Sequence, residues 1–490
     1  MQESMTYEAV HPDYSAYSSK WLLISDVLKG EEQIKAQGMK YLPLENMEGD
    51  AYAEQFVARY AAYKGRAVFY NATARTLAGF VGQVFDKPPH QEFPEALKYL
   101  QEDPCGSGVT LEQLAKLALA GTVSTGRAGL WADFPDTGGS YSVAEVQSGE
   151  VRPTITYYPA LDIRNWRTIK RKARTLLSLV VLRERVEVEE ANNYFLTRYE
   201  YRYRVLRLED NVYTVTVYDP WSAAQKERKY TPTDVDGNTF NEIPFTFIGI
   251  AENDSSVDEP PMYDLASLNI AHYRNSADYE DACFMVGQPT VWYSGLDKNW
   301  IENVLKGTFR LGSRGGLPLP PGGNAGLLQV ASNTMTKEAM DQKEAQMVAL
   351  GARIVRDPSV AKTATEVNSD KVTEVSTLAS GARNVSAALR KAFEYAQKFT
   401  GTSLEVKFEL STDFDMVRMT SQEILALVTT WQAKLLTTTE TRDVLTRAGY
   451  ATLPMDKAAA EGVAKEAPES VATGAARTDN RAAPEGGSSV

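Results

Sequence analysis

The sequence has 490 residues, of which 43% are hydrophobic and 24% charged, with a formal net charge of −12. That length is too great for one ordinary core and leads to an expectation of roughly three domains in a folded, water-soluble chain. The acidic balance argues against a protein that grips nucleic acid over a broad surface, because such binding depends on lysine and arginine neutralising phosphates.

In chain order, residues 16–37 read as a helix with Gly30 a weak point or a junction. Helices are expected at 50–64 and 66–86; Gly79 and Gly82 of the second leave room for close approach, and Pro88-Pro89 ends it. Thr110 and Gln113 stand in capping-box register and open a helix to about Ala120. From Gly126 the pattern changes to extended runs at 129–134, 154–159, 177–188, 196–208, 211–219 and 243–250, rich in β-branched and aromatic residues. Tyr199, Tyr201, Tyr203 and Val205 repeat with a period of two, which sets them on one face and Arg198, Glu200, Arg202 and Arg204 on the wet one. Around Trp166 lies a basic cluster, Arg164, Arg167, Lys170, Arg171, Lys172 and Arg174, read as a solvated or intersubunit surface because only one aromatic accompanies it.

Residues 262–286 read as a long amphipathic helix with Leu265, Leu268, Ala271, Ala282 and Met285 among its apolar positions, ended by Gly287 and Pro289. A compact segment follows: strand 290–295, helix 297–306, strand 308–312, a Gly/Pro-rich loop, and strand 327–330. Another helix runs from about Thr334 to Val355, where Pro358 disfavours helical geometry at Asp357. Thr363 and Glu366 form a second capping box, so a helix begins at about Ala364. Its apolar positions Val375, Leu378, Ala382, Val385, Leu389, Ala392, Ala396 and Phe399 advance in steps of three and four until Gly401 stops it. A strand at 404–410, a helix opened by the box Thr420 to Glu423 and a shorter helix to Gly449 complete the ordered part. The Ala/Glu/Gly-rich remainder is expected to be disordered.

The search for catalytic chemistry returns little. His11, His90 and His272 are widely separated and lack a second metal ligand at helical or hairpin spacing. The segment Gly121 to Ala128 has a phosphate loop's glycine spacing but carries Arg127 and Ala128 where such a loop needs lysine and a hydroxyl, so it reads as a helix end and turn. Carboxylate pairs such as Asp278 with Asp281 read as solvated helical charge. Cys105 and Cys283 allow at most one bridge and read as inert small residues. No stretch approaches the roughly 18 apolar residues of a membrane span, and the opening residues lack a basic region leading into an apolar one, so a cytoplasmic protein is expected. The expectation is a protein that is not an enzyme, with no cofactor and no metal.

The order of elements resembles that of the portal proteins of tailed double-stranded DNA bacteriophages, from about Trp21 to Gly449. The pieces that carry the resemblance are Trp21, Asp26, Gly30-Glu31 and Tyr41-Leu42-Pro43; Gly126-Arg127-Ala128 with Asp133-Phe134-Pro135; Tyr158-Pro159 with Asn165-Trp166; Leu268 to Arg274 with Ala277 to Glu280; and Leu350 to Arg353 with Thr363 to Glu366.

The resemblance implies an α+β portal fold: a helical and β wing at 1–261, stem helices at 262–287 and 332–355 and a small αβ clip at 288–331. It further implies a tunnel loop at 356–363, a wing helix and strand at 364–417, a helical crown at 418–455 and a flexible tail at 456–490. It implies a dodecameric ring at one capsid vertex, the channel for packaging by the terminase large subunit and for ejection. Its other partners would be a head-tail adaptor or tail proteins, the major capsid and scaffolding proteins, and DNA passing without sequence specificity, in a virion part assembled in the host cytoplasm. Arg356, Asp357, Pro358, Ser359, Val360, Ala361 and Lys362 would line the channel, with Lys337 and Lys343 as stem candidates. Trp292, Trp300, Leu317, Pro318, Leu319, Pro320 and Pro321 would meet partners at the clip. Twelve copies would carry roughly −144 formal charges, which suits a channel through which DNA must slide. The competing classes are a metal-dependent DNA-processing enzyme and another phage structural or scaffold protein; particle mass separates them.

Overall fold

The first helix begins where the chain supplies both a cap and a preset turn. His11 accepts from the Asp13 amide at 3.2 Å and Pro12 occupies the first helical position, so helix α1 runs Pro12–Leu28. The chain breaks at Gly30 and resumes as α2, Glu31–Ala36, so the expected single helix at 16–37 is two, joined at the glycine. Helices α3 (Ala53–Arg66), α4 (Ala72–Val84) and α5 (Leu111–Thr125) follow. Asn71 caps α4 by accepting from the Ala74 amide at 3.0 Å, which delays its start from the expected residue 66. Gly82 faces open space, so it is not a point of close approach. The Thr110–Gln113 capping box forms in full at α5. Gly126 ends that helix at φ 72°, where a Cβ would lie 2.9 Å from the carbonyl oxygens of Asp258 and Glu259; only glycine meets both demands.

The computed structural model describes residues 6–44, 53–133, 152–190, 193–222, 226–287, 290–305, 319–328, 334–351, 364–401, 403–412, 421–433 and 435–447. The chain divides into two units, residues 1–412 and 413–490. In the second, helices Ser421–Gln432 and Thr438–Arg447 are described.

Two antiparallel sheets organise the first unit. One has the order β3-β2-β9, from β2 (Arg127–Asp133), β3 (Thr154–Pro159) and β9 (Phe245–Gly249). The other runs β4-β5-β6-β7-β8 through β4 (Ile163–Arg171), β5 (Arg174–Glu190), β6 (Asn193–Glu209), β7 (Val212–Tyr218) and β8 (Glu227–Tyr230). Strand β4 carries four of the six residues of the basic cluster, Arg164, Arg167, Lys170 and Arg171, and was not expected as a strand; its Trp166 is buried while Arg167 and Lys170 are exposed. The sheets share a core of Trp21, Trp131, Trp166, Val180, Leu182, Leu206, Tyr213, Phe245 and Phe247. The face of β6 differs from the expectation. Leu206 and Leu208 enter this core and share their face with Arg202 and Arg204, whereas Tyr199 and Tyr201 are 55% and 49% exposed. Arg204 reaches the core edge because Glu184 accepts from its Nε at 2.7 Å and its guanidinium lies over Trp131. At the base of the other face Val181 and Val205 are buried too, and Tyr7 stacks on Tyr218 at 4.3 Å.

The longest helix begins at Ala364, as expected, and runs to Phe399. Leu378, Ala382, Val385, Leu389, Ala392, Ala396 and Phe399 are all buried, the face that steps of three and four mark out. It packs on α5, β2 and β9. Asn384 fastens it there, its amide donating toward the carbonyls of Gly249, Ile250 and Ala251 at 2.9, 3.2 and 3.0 Å. A short strand, Lys407–Glu409, replaces the longer one expected at 404–410 and pairs with β1 (His90–Glu92), a strand that local pattern did not mark.

Candidate functional site

Helix α6 is Tyr263–Gly287 and α7 is Met335–Ala349. The start of α6 is held from two sides. Ala266, Ile270, Tyr273 and Ala277 pack into a cluster with Ile24, Ile34, Tyr41 and Phe69, and Leu265 packs with Met262 and Met347. The apolar stripe expected at Leu265, Leu268, Ala271, Ala282 and Met285 is therefore only partly the buried one. Leu268 and Ala271 line an open groove of about 500 Å³ with Gln346 and Leu350, and Met285 is 48% exposed.

A polar ladder fixes the other face of α6 to α3 and α4. Asn269 Oδ1 accepts from the Thr73 amide at 3.2 Å and hydroxyl at 3.0 Å, while its Nδ2 donates to the Tyr70 carbonyl at 2.8 Å. Ser276 Oγ accepts from the Val68 amide at 2.9 Å. Asp278 accepts from the Tyr63 hydroxyl at 2.6 Å, and Asp281 takes both Arg59 and Arg66. This pair of carboxylates is thus engaged in holding two helices together, against the expectation of solvated charge. Arg59 donation is the main cause that holds the Asp281 carboxyl below its usual range.

Helix α7 lies antiparallel to α6. Leu265 meets Met347 near the body, His272 lies by Glu344 and Lys343, and Tyr279 is within electrostatic reach of Asp341 farther out. His272 is buried with no hydrogen-bond partner for Nδ1 among the described residues, and burial lowers its pKa, offset by Glu344. Among the described residues no group of three His, Cys, Asp or Glu side chains is placed to hold an ion. No helix among those residues is long and apolar enough to cross a membrane. Of the fifteen residues of α7, Met347 and Val348 are the buried ones; Met335 is 71% exposed. The helix stops at Ala349, before the expected Val355, because Gly351 turns the chain at φ 98° well upstream of Pro358.

Between the two helices the chain forms a hairpin of β10 (Thr290–Ser294) and β11 (Asn324–Leu328), where Trp292 faces Gly326 across the ladder. The indole occupies the place a side chain at 326 would need, with Nε1 2.8 Å from an ideal Cβ, and still leaves Trp292 45% exposed. Asp297 caps the helical turn at Lys298–Trp300 by accepting from the Trp300 amide at 2.7 Å, and that turn continues as a π-helical one over Ile301–Leu305. Leu319 and Pro320 are half-buried and Pro321 is exposed. The structure therefore sets Trp292 and residues 319–321 on or beside one small hairpin, Lys343 against His272, and Lys337 on an exposed part of α7. Arg356, Asp357, Pro358, Ser359, Val360, Ala361, Lys362, Leu317 and Pro318, with the strand expected at 308–312, lie outside the described residues.

The residues that sequence reasoning missed here are Arg59, Arg66 and Asn269. Their partners stand roughly 200 positions away, and no local pattern signals that.

Residues 261–400 match a family described as a domain of unknown function, DUF4055. No curated protein matches the sequence. Among solved structures, the chain is similar to one titled "Neck of empty GTA particle computed with C6 symmetry", at 15% identity and a TM-score of 0.42, over 77% of this chain and 90% of that one. Another, "Neck of native GTA particle computed with C12 symmetry", has 13% identity and a TM-score of 0.36 over 76% and 89%.

Proposed function

We propose that this chain is the subunit of a phage portal, a ring of about twelve copies with closed cyclic symmetry. The observation that carries the reading is the helix pair. Helices α6 and α7 lie antiparallel with a small hairpin between their outer ends; α6 packs on the body as far as Ala277, whereas α7 buries only Met347 and Val348 of its fifteen residues within one chain. A helix with as little packing as α7 is marginal alone, and copies set side by side about an axis would supply one another's missing faces. In this reading residues 262–287 and 332–355 are the stem, 288–331 the clip, 356–363 the tunnel loop, 1–261 with 364–417 the wing, and 418–455 the crown. In this reading the clip offers Trp292, Trp300 and residues 317–321 to the terminase large subunit or a head-tail adaptor, Trp292 at 45% exposure being the kind of apolar group on a small insertion that marks a contact. Lys337 is the more accessible of the two lysines toward the channel, Lys343 being half-buried. The net charge of −12 per copy keeps passing DNA from being held by counterion release. DNA translocation then needs an ATPase from a partner.

Native mass spectrometry of the purified full chain tests the reading. The expected result is a ring of about a dozen copies that survives replacement of residues 313–324 by a short polar linker and then no longer binds terminase or adaptor. A chain that stays monomeric at every concentration overturns it.

A further inference from the structure

The β5–β6 hairpin outruns its sheet. Pairing of β4 with β5 ends at Leu182, and pairing of β7 with β6 begins at Tyr203, so from Glu184↔Arg202 to Glu190↔Asn193 the two strands pair only with each other among the described residues. This ribbon projects about 23 Å at 3.3 Å per residue. One face is a ladder of tyrosine and arginine: the Arg183 guanidinium lies 4.6 Å from the Tyr201 ring centre and that of Arg185 3.8 Å from Tyr199. Tyr199, Tyr201 and Leu196 remain 55%, 49% and 55% exposed. Its base is rigid, because Asp219 accepts from Arg202 at 2.6 and 3.0 Å and Glu184 accepts from Arg204.

We propose that this ribbon is an arm that docks on a second copy of the chain. A lone two-stranded ribbon is marginally stable in water, and this one carries large amphipathic side chains with little to cover them. Charge selects the occupant. From Glu184 to Arg202 the arm carries three arginines and five glutamates, a formal −2 with both signs distributed along it. Two uniformly acidic surfaces repel, whereas an arm bearing both Arg and Glu side chains can set its arginines against carboxylates of another copy. The same glutamates disfavour a polyanion such as nucleic acid. Two faces of a ribbon this size offer on the order of 500 Å² to a partner, or about 1,000 Å² buried in total, the threshold for a specific contact. A head-to-tail contact of this kind closes a ring, and in that respect the inference rests on the portal reading.

A photo-crosslinking residue in place of Tyr201, in an equal mixture of ¹⁴N- and ¹⁵N-labelled full-length protein, reads the contact directly. Crosslinked peptides of mixed label are expected; exclusively same-label, intrachain products overturn the proposal. Replacing residues 187–199 by Asn-Gly, which joins the paired Val186 and Glu200, should preserve the circular dichroism and raise the concentration needed for assembly at least tenfold. Wild-type rings with an unshifted truncated variant overturn the arm alone, whereas a wild type that never assembles overturns the arm and the portal reading together.

Discussion

Replacing Asp281 with asparagine removes the charge that Arg59 and Arg66 of α3 share across to α6. Hydrogen bonds to a charged group contribute about 1.5–3 kcal/mol when shielded, but exposed pairs contribute only about 0.2–1 kcal/mol. The Arg59 side chain is 45% exposed and belongs to the second class, whereas Arg66 at 23% against Asp281 at 14% is closer to the first. Asparagine keeps one acceptor oxygen, and Arg66 retains its stack on Phe284 at 4.3 Å, so the net loss is about 2 kcal/mol. That corresponds to about a thirtyfold shift toward undocked α3. Hydrogen exchange read by mass spectrometry should show residues 53–66 exchanging about thirtyfold faster, with residues 111–125 unchanged as an internal control. The Asp281 pKa is depressed, so the stabilisation is present above the ordinary carboxylate range and is lost as pH falls through the lowered value. The gap between wild type and variant should therefore close only in acid. Equal exchange of 53–66 in the two proteins at neutral pH would refute the reasoning.

Two further outcomes follow from packing. An ideal Cβ at Gly129 lies 2.3 Å from Phe245 Cζ and 3.1 Å from Ile163 Cδ1, so Gly129→Ala overfills the core between the sheets at a cost of about 1–3 kcal/mol. The melting temperature should fall, and Phe245→Leu in the same chain should recover part of it; no fall, or no recovery, counts against the contact. Burial pushes the Cys105 thiol up to about 11, with Asp103 adding to the effect, whereas Cys283 is exposed. At pH 8 iodoacetamide should modify Cys283 at least about tenfold faster than Cys105, and equal rates measured by peptide mapping would contradict the burial.

What could be read from the sequence was local in origin. The Thr110–Gln113 box, the start of the long helix at Ala364 and its face from Leu378 to Phe399 depend on neighbours three or four residues apart, and they stand in the structure as expected. Strand β3 coincides with its expected run for the same reason. Which face of a strand is buried is a different matter. Along β6 the tyrosines and arginines alternate with equal regularity, and Leu206 and Leu208 meeting the second sheet, not the period, decided that the arginine side turns inward. The same holds for the candidate site. Helices near 262–286 and 334–355 were legible from periodicity, but the early stop at Gly351, the His272–Glu344 neighbourhood and the anchoring of Asp281 by Arg59 and Arg66 were not. The pairing of His90–Glu92 with Lys407–Glu409 likewise joins segments that share no local signal. Periodicity and caps act within a turn or two of the chain, while burial, pairing and charge compensation belong to whichever distant segment the fold brings alongside. The sequence by itself therefore determined where elements begin and which helical face is apolar, and only the tertiary structure decided what each face meets.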